Sequence, residues 1–88
     1  MKLDAVEIIY HDGRHNAFTG IVRWRGRTWV CFRNGATHRS GDGRICVISS
    51  SDLREWSEPS VVIDTAEDNR DPKLFVFGDR LHVTCMAL

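Results

Sequence analysis

His15, Arg33, His38, Asp42, Arg70 and Asp71 have the types and positions to do chemistry in this chain. Arginine grips carboxylates and phosphates through a planar, two-pronged guanidinium. Arg33 ends the run Cys31-Phe32-Arg33 beside a long polar stretch. It can clamp an anionic or hydroxyl-rich ligand, or pair with an acid at a sheet edge. His38 lies within that stretch and can hydrogen-bond a ligand or shuttle a proton; a solvated loop histidine is the plainer reading. Asp42, in Ser40-Gly41-Asp42-Gly43, can act as acid/base, or as an ordinary turn residue. Arg70 and Asp71 are adjacent opposite charges just before an apolar strand. They suit ligand binding and proton transfer, or a structural ion pair. Pro72 is expected to push its predecessor, Asp71, toward extended backbone. His15 and Asn16 occupy the matching position before an earlier strand.

Other chemistries find no pattern. His11, His15, His38 and His82 are not spaced as a metal set. Cys31, Cys46 and Cys85 form no CxxC, so no zinc site is expected, and buried free thiols are favoured over a disulfide. No glycine-rich phosphate loop, HExxH or nucleophile elbow appears, and no cofactor is expected.

Composition narrows the class. The 88 residues include 12 Lys+Arg and 12 Asp+Glu, a formal net charge of +0, with 42% hydrophobic residues. That is globular composition, and its balanced charge argues against nucleic-acid binding. No apolar run nears the roughly 20 residues of a membrane span. No signal peptide is visible, so a cytoplasmic location is the default expectation. The basic residues are ten Arg against two Lys, which favours grip on anions or reflects coding bias. A chain this short buries only about 60% of its unfolded surface and is marginal alone.

The elements that must hold these residues are strands. Helical periodicity is nearly absent, and apolar runs recur about every ten residues between Gly, Asp and Asn clusters. Seven short strands are expected, the first over residues 5–10. Arg25-Gly26 and Gly78-Asp79 read as tight hairpin turns. Trp29 and Cys31 would lie on one face of their strand, Val30 and Phe32 on the other. A sheet apolar on both faces needs cover on both. Blades of a β-propeller meet that demand better than a simple sandwich. The run from Gly20 to Cys31 is echoed by Lys73 to Thr84, a repeat of about fifty residues, the size of a blade. Residues 1–88 are therefore expected to form one partial, all-β propeller unit of about one and three-quarter blades. Residues 5–10 would be the outer strand of a preceding blade, 17–64 one four-stranded blade, and 72–88 the inner two strands of the next. Open blade edges predict completion by homo-oligomerisation.

The motifs resemble the sialidase superfamily of β-propellers, more narrowly the bacterial exo-alpha-sialidase-like proteins. They are His15-Asn16-Ala17-Phe18-Thr19, Cys31-Phe32-Arg33-Asn34-Gly35 with His38, Ser40-Gly41-Asp42-Gly43, Ser50-Ser51-Asp52 with Trp56, and Arg70-Asp71-Pro72-Lys73-Leu74. The resemblance runs from about His15 to the C-terminus. It implies a carbohydrate-directed glycoside hydrolase fold and a sialic-acid-like or other acidic sugar as ligand. On that footing Asp71 and Asp42 are the catalytic candidates, and Arg33, Arg70, His15 and His38 the ligand-binding ones. Asp52 and Trp56 are structural, forming an Asp-box-like turn. That turn lacks the family's glycine and is one residue shorter, a form also like turns of five-bladed glycoside hydrolases. The first arginine of the sialidase triad would fall near Ala17, and the nucleophile pair and later arginines are not in this chain. A fragment inactive by itself is the expectation. The rivals are a carbohydrate-binding or structural module formed by self-assembly, and a chain without function of its own.

Overall fold

A computed structural model describes residues 3–88, and these form antiparallel β-structure with no helix. Strands β1 (His15–Trp24), β2 (Arg27–Gly35), β3 (Arg44–Ser50) and β4 (Ser60–Ile63) make one sheet in the order β1-β2-β3-β4. Strands β5 (Asn69–Phe77) and β6 (Arg80–Ala87) make a separate hairpin.

The two hairpins close on two-residue turns. Arg25 and Gly26 have φ of 49° and 73°, and Gly78 and Asp79 have φ of 59° and 57°. Positive φ at both central residues is the turn whose twist matches that of the flanking strands. The repeat extends upstream. Each first strand is bulged, between Ala17 and Gly20 in β1 and between Arg70 and Lys73 in β5. Each bulge holds a non-glycine residue in the left-handed region, Phe18 at φ 58° and Asp71 at φ 49°. Phe18/Asp71, Arg25/Gly78 and Gly26/Asp79 share one spacing, 53 residues (71 − 18, 78 − 25, 79 − 26).

Both faces of the large sheet are apolar. On one, Cys31, Ile45 and Val47 pack with Trp29, Ile63 and, from the hairpin, Leu74, Val83 and Cys85. On the other, Val30, Phe32, Cys46 and Ile48 pack with Tyr10 and Trp56. Gly20 marks where the layers nearly touch: a Cβ there would lie 3.0 Å from Cys31 Sγ and 3.4 Å from Pro72 O.

Two expectations need correction. Among the described residues there are six strands, not seven, because residues 5–10 join no ladder. Their apolar alternation satisfies the local rule for a strand, but no strand lies beside them to pair with. And Asp71 is left-handed rather than extended; the bulge, which turns β5 at its start, overrides the preference imposed by Pro72. The cysteines are free, with Cys31 and Cys46 buried and Cys85 half-buried.

Candidate functional site

One end of the sheet gathers the start of β1, the end of β2, the loop between β2 and β3, and the start of β5. At its centre is Arg33, which shares the Cys31 face and is 0% exposed. A buried guanidinium requires an acid partner. Asp68 supplies it: Arg33 Nε and a terminal nitrogen donate to Asp68 Oδ1 at 3.1 and 2.9 Å. Another Arg33 nitrogen donates to Thr37 O at 3.1 Å, and the Gly43 N–H donates to the same Asp68 oxygen at 2.9 Å. Gly35 and Gly43 leave room for this. A Cβ on Gly43 would collide with Asp68, with the guanidinium and with Asn69 O, the last at 2.6 Å; one on Gly35 would lie 2.7 Å from the guanidinium.

The other Asp68 oxygen faces a second arginine. Arg70 Nε sits 3.0 Å from Oδ2. That Nε–H has no aligned acceptor, so the contact is ionic rather than a directed hydrogen bond. Two guanidiniums thus share one carboxylate, and the node carries a surplus positive charge. Arg33 is sealed, whereas the Arg70 side chain keeps 19% of its surface open.

Around Arg70 lies an aromatic rim. The Phe18 ring is 5.4 Å below its guanidinium. His15 and His38 meet edge to face at 5.1 Å, and Phe18 lies 5.5 Å from His38. Arg70 also donates to the His38 carbonyl, which ties the β2–β3 loop to β5. His15 Nδ1 is buried without a partner. Desolvation, then the positive charge of Arg70, lowers the His38 pKa below its ordinary value, so its ring is neutral at neutral pH. Asp71 follows on the surface, and its carboxylate makes no side-chain bond among the described residues. Asp71 holds its left-handed backbone at the β5 bulge, as Phe18 does at the β1 bulge.

Asp42 is held differently. It accepts the Ala36 N–H at 3.2 and 3.3 Å, the Ser40 hydroxyl, and Arg14 at 3.4 Å. Those bonds, Ser40 first, keep its carboxyl below the usual range. It therefore fastens the loop, and no bond joins it to Arg70 or Asp71. Of the six candidates, the fold clusters His15, His38 and Arg70, leaves Asp71 free beside them, seals Arg33 beneath and commits Asp42 to the loop.

Asp68 and Asn69 also build this end of the sheet, and no motif in the sequence marks them. Asn69 is 1% exposed, and its side chain donates to Gly43 O at 3.1 Å and Glu67 O at 3.2 Å. It pins β5 to β3. The signal for it was its place in the repeat, since Asn16 stands 53 residues before it (69 − 16). Asn16 is a clasp too, donating to Asp12 at 2.8 Å while accepting from Asn34 at 2.6 Å. Asp52 and Trp56 take the structural roles expected. Asp52 accepts the Arg54 and Glu55 N–H groups at 2.9 and 3.0 Å, and Trp56 packs on the Phe32 cluster.

Comparison of the chain with family models, with curated proteins and with solved structures gives no significant match.

Proposed function

We propose that this end of the sheet binds an acidic carbohydrate, as one part of a sialidase-like propeller glycoside hydrolase that is inactive as this chain alone. The observation that carries the reading is the shared carboxylate of Asp68. Two guanidiniums for one acid leave Arg70 with unspent positive charge at the surface, beside His15, His38 and Phe18. An arginine edge beside imidazole and an aromatic ring suits a sugar carboxylate flanked by hydroxyls. Arg70 would pair with the carboxylate, and His15 and His38 would bond hydroxyls. Asp71 would accept hydroxyl hydrogens and, in a completed site, exchange a proton. Arg33 is a positioning residue that fixes Asp68 and hence Arg70. The motif resemblance from His15 onward supports the same ligand class.

The test is a titration with a sialoside and with its neutral counterpart, read by amide chemical shifts. The acidic sugar is expected to shift the amides of residues 15, 38, 70 and 71, and the neutral one is not. Arg70→Met removes a charge-assisted contact of about 1.5–3 kcal/mol, which weakens binding by roughly one to two orders of magnitude. Hydrolysis of a fluorogenic sialoside separates an enzyme from a binding module. Equal response to both sugars, or none, overturns the reading.

A further inference from the structure

We infer that this chain stacks head to tail on copies of itself, through the outer face of the β5–β6 hairpin and the exposed Ile21 side of the β1–β2 hairpin. The repeat identifies the occupant. Within one chain, the Cys31 face of the four-stranded sheet is already covered by the β5–β6 hairpin, through Leu74 and Val83. The 53-residue spacing puts Ile21 in the place of Leu74 (74 − 21) and Val30 in that of Val83 (83 − 30). Ile21 pairs with Val30 across β1 and β2, as Leu74 pairs with Val83 across β5 and β6. So the face that the β5–β6 hairpin buries has its equivalent in the β1–β2 hairpin, where Val30 is already covered but Ile21, on the outer strand, is 68% exposed.

The complementary face shows the same relation. Trp24 and Trp29, on the Cys31 face, lie 5.9 Å apart at 60°. Their equivalents are Phe77 and His82, 6.3 Å apart at 65°, on the outer face of the hairpin. There Phe77 is 74% exposed and Phe75, stacked on His82, is 43% exposed. A second copy therefore offers each open face the partner that its counterpart already has inside the chain. The open area matches one such contact per chain. The chain exposes 6154 Å², against about 5,300 Å² for a compact monomer of its mass, an excess close to the ~800 Å² per partner of a standard interface. The contact joins two different surfaces, so it propagates into a ring or an open series. It stands independently of the proposed sugar site.

The experiment is sedimentation of the whole chain over a rising concentration series, with Ile21→Asp and Phe77→Asp as variants. Wild type is expected to grow in mass by whole copies into the high-micromolar range. Each variant blocks one face, and each alone is expected to stay monomeric. Mixed, they retain one good face of each kind and are expected to form a one-to-one pair. Thr84→Arg, at an exposed position on the same outer face, replaces Phe77→Asp if circular dichroism shows that variant unfolded. A wild type that remains monomeric, single variants that still associate, or a mixture that yields no pair overturns the inference.

Discussion

The β1–β2 and β5–β6 hairpins are one device used twice. Both close on a two-residue left-handed turn, and both open with a bulge that holds a non-glycine residue at positive φ. What each presents at that bulge differs. The first carries His15, Asn16, Ala17 and Phe18, and the second Asp68, Asn69, Arg70 and Asp71. Only the asparagine is shared, and in both places it clasps the strand to its neighbours. The backbone is thus kept constant while the exposed positions diverge, aromatic in one unit and charged in the other. Because the fold brings both starts to one end of the sheet, the divergence yields a mixed surface that neither hairpin has alone.

The largest way to break this comparison is at its first position. Asp68→Asn leaves Arg33 as an unpaired buried charge, expected to cost about 3–5 kcal/mol, much of the stability of a small domain. His15→Asn, at the equivalent position, is expected to cost only about 1 kcal/mol. Urea unfolding measures both, and equal losses would remove the distinction between a buried charge node and a rim.

The bulge residues provide a sharper version. Phe18→Gly relieves a left-handed backbone but deletes the ring packed among His15, His38 and Arg70, for a net loss of about 1–2 kcal/mol. Asp71→Gly relieves the same strain and deletes no contact, so it is expected to stabilise by about 0.5–1 kcal/mol. The same substitution at equivalent positions should therefore change sign. On the proposed function, Asp71→Gly should also weaken sugar binding, because it removes the carboxylate.

The smallest effect is on acid stability. Asp12 lies under the Phe32 face, where desolvation raises its pKa but bonds from Asn16, Arg14 N–H, Asn34 and Tyr10 outweigh it, lowering the value from 3.8 to about 2. A carboxyl depressed in the folded state binds fewer protons there than in the unfolded chain. Its stabilisation is therefore complete above 3.8 and lost as pH falls through about 2. Asp12→Asn is expected to flatten the fall of Tm across that window.

Much of the fold was legible because its signals are local. Arg25-Gly26 and Gly78-Asp79 declare their turns, and Ser50 to Trp56 closes through bonds between residues two or three apart. Residues 5–10 misled because a strand needs a partner, and alternation along the chain does not supply one. The candidate site was half legible. His15, Arg70 and Asp71 were visible as residue types at strand starts, and His38 as one in the loop after β2. Asp68 was not, because its partner Arg33 is 35 residues away and several acids in that polar stretch fit equally well. Nor could the sequence place Arg33 beneath the surface, since its seal comes from Gly43 and from the start of β5.

The most direct test of the account is the amide-shift titration of the wild type and Arg70→Met with a sialoside beside its neutral counterpart. The account predicts wild-type shifts confined to the starts of β1 and β5 and to the His38 loop, for the acidic sugar alone, and their loss in Arg70→Met. Shifts elsewhere on the sheet, or shifts that survive the substitution, would contradict it.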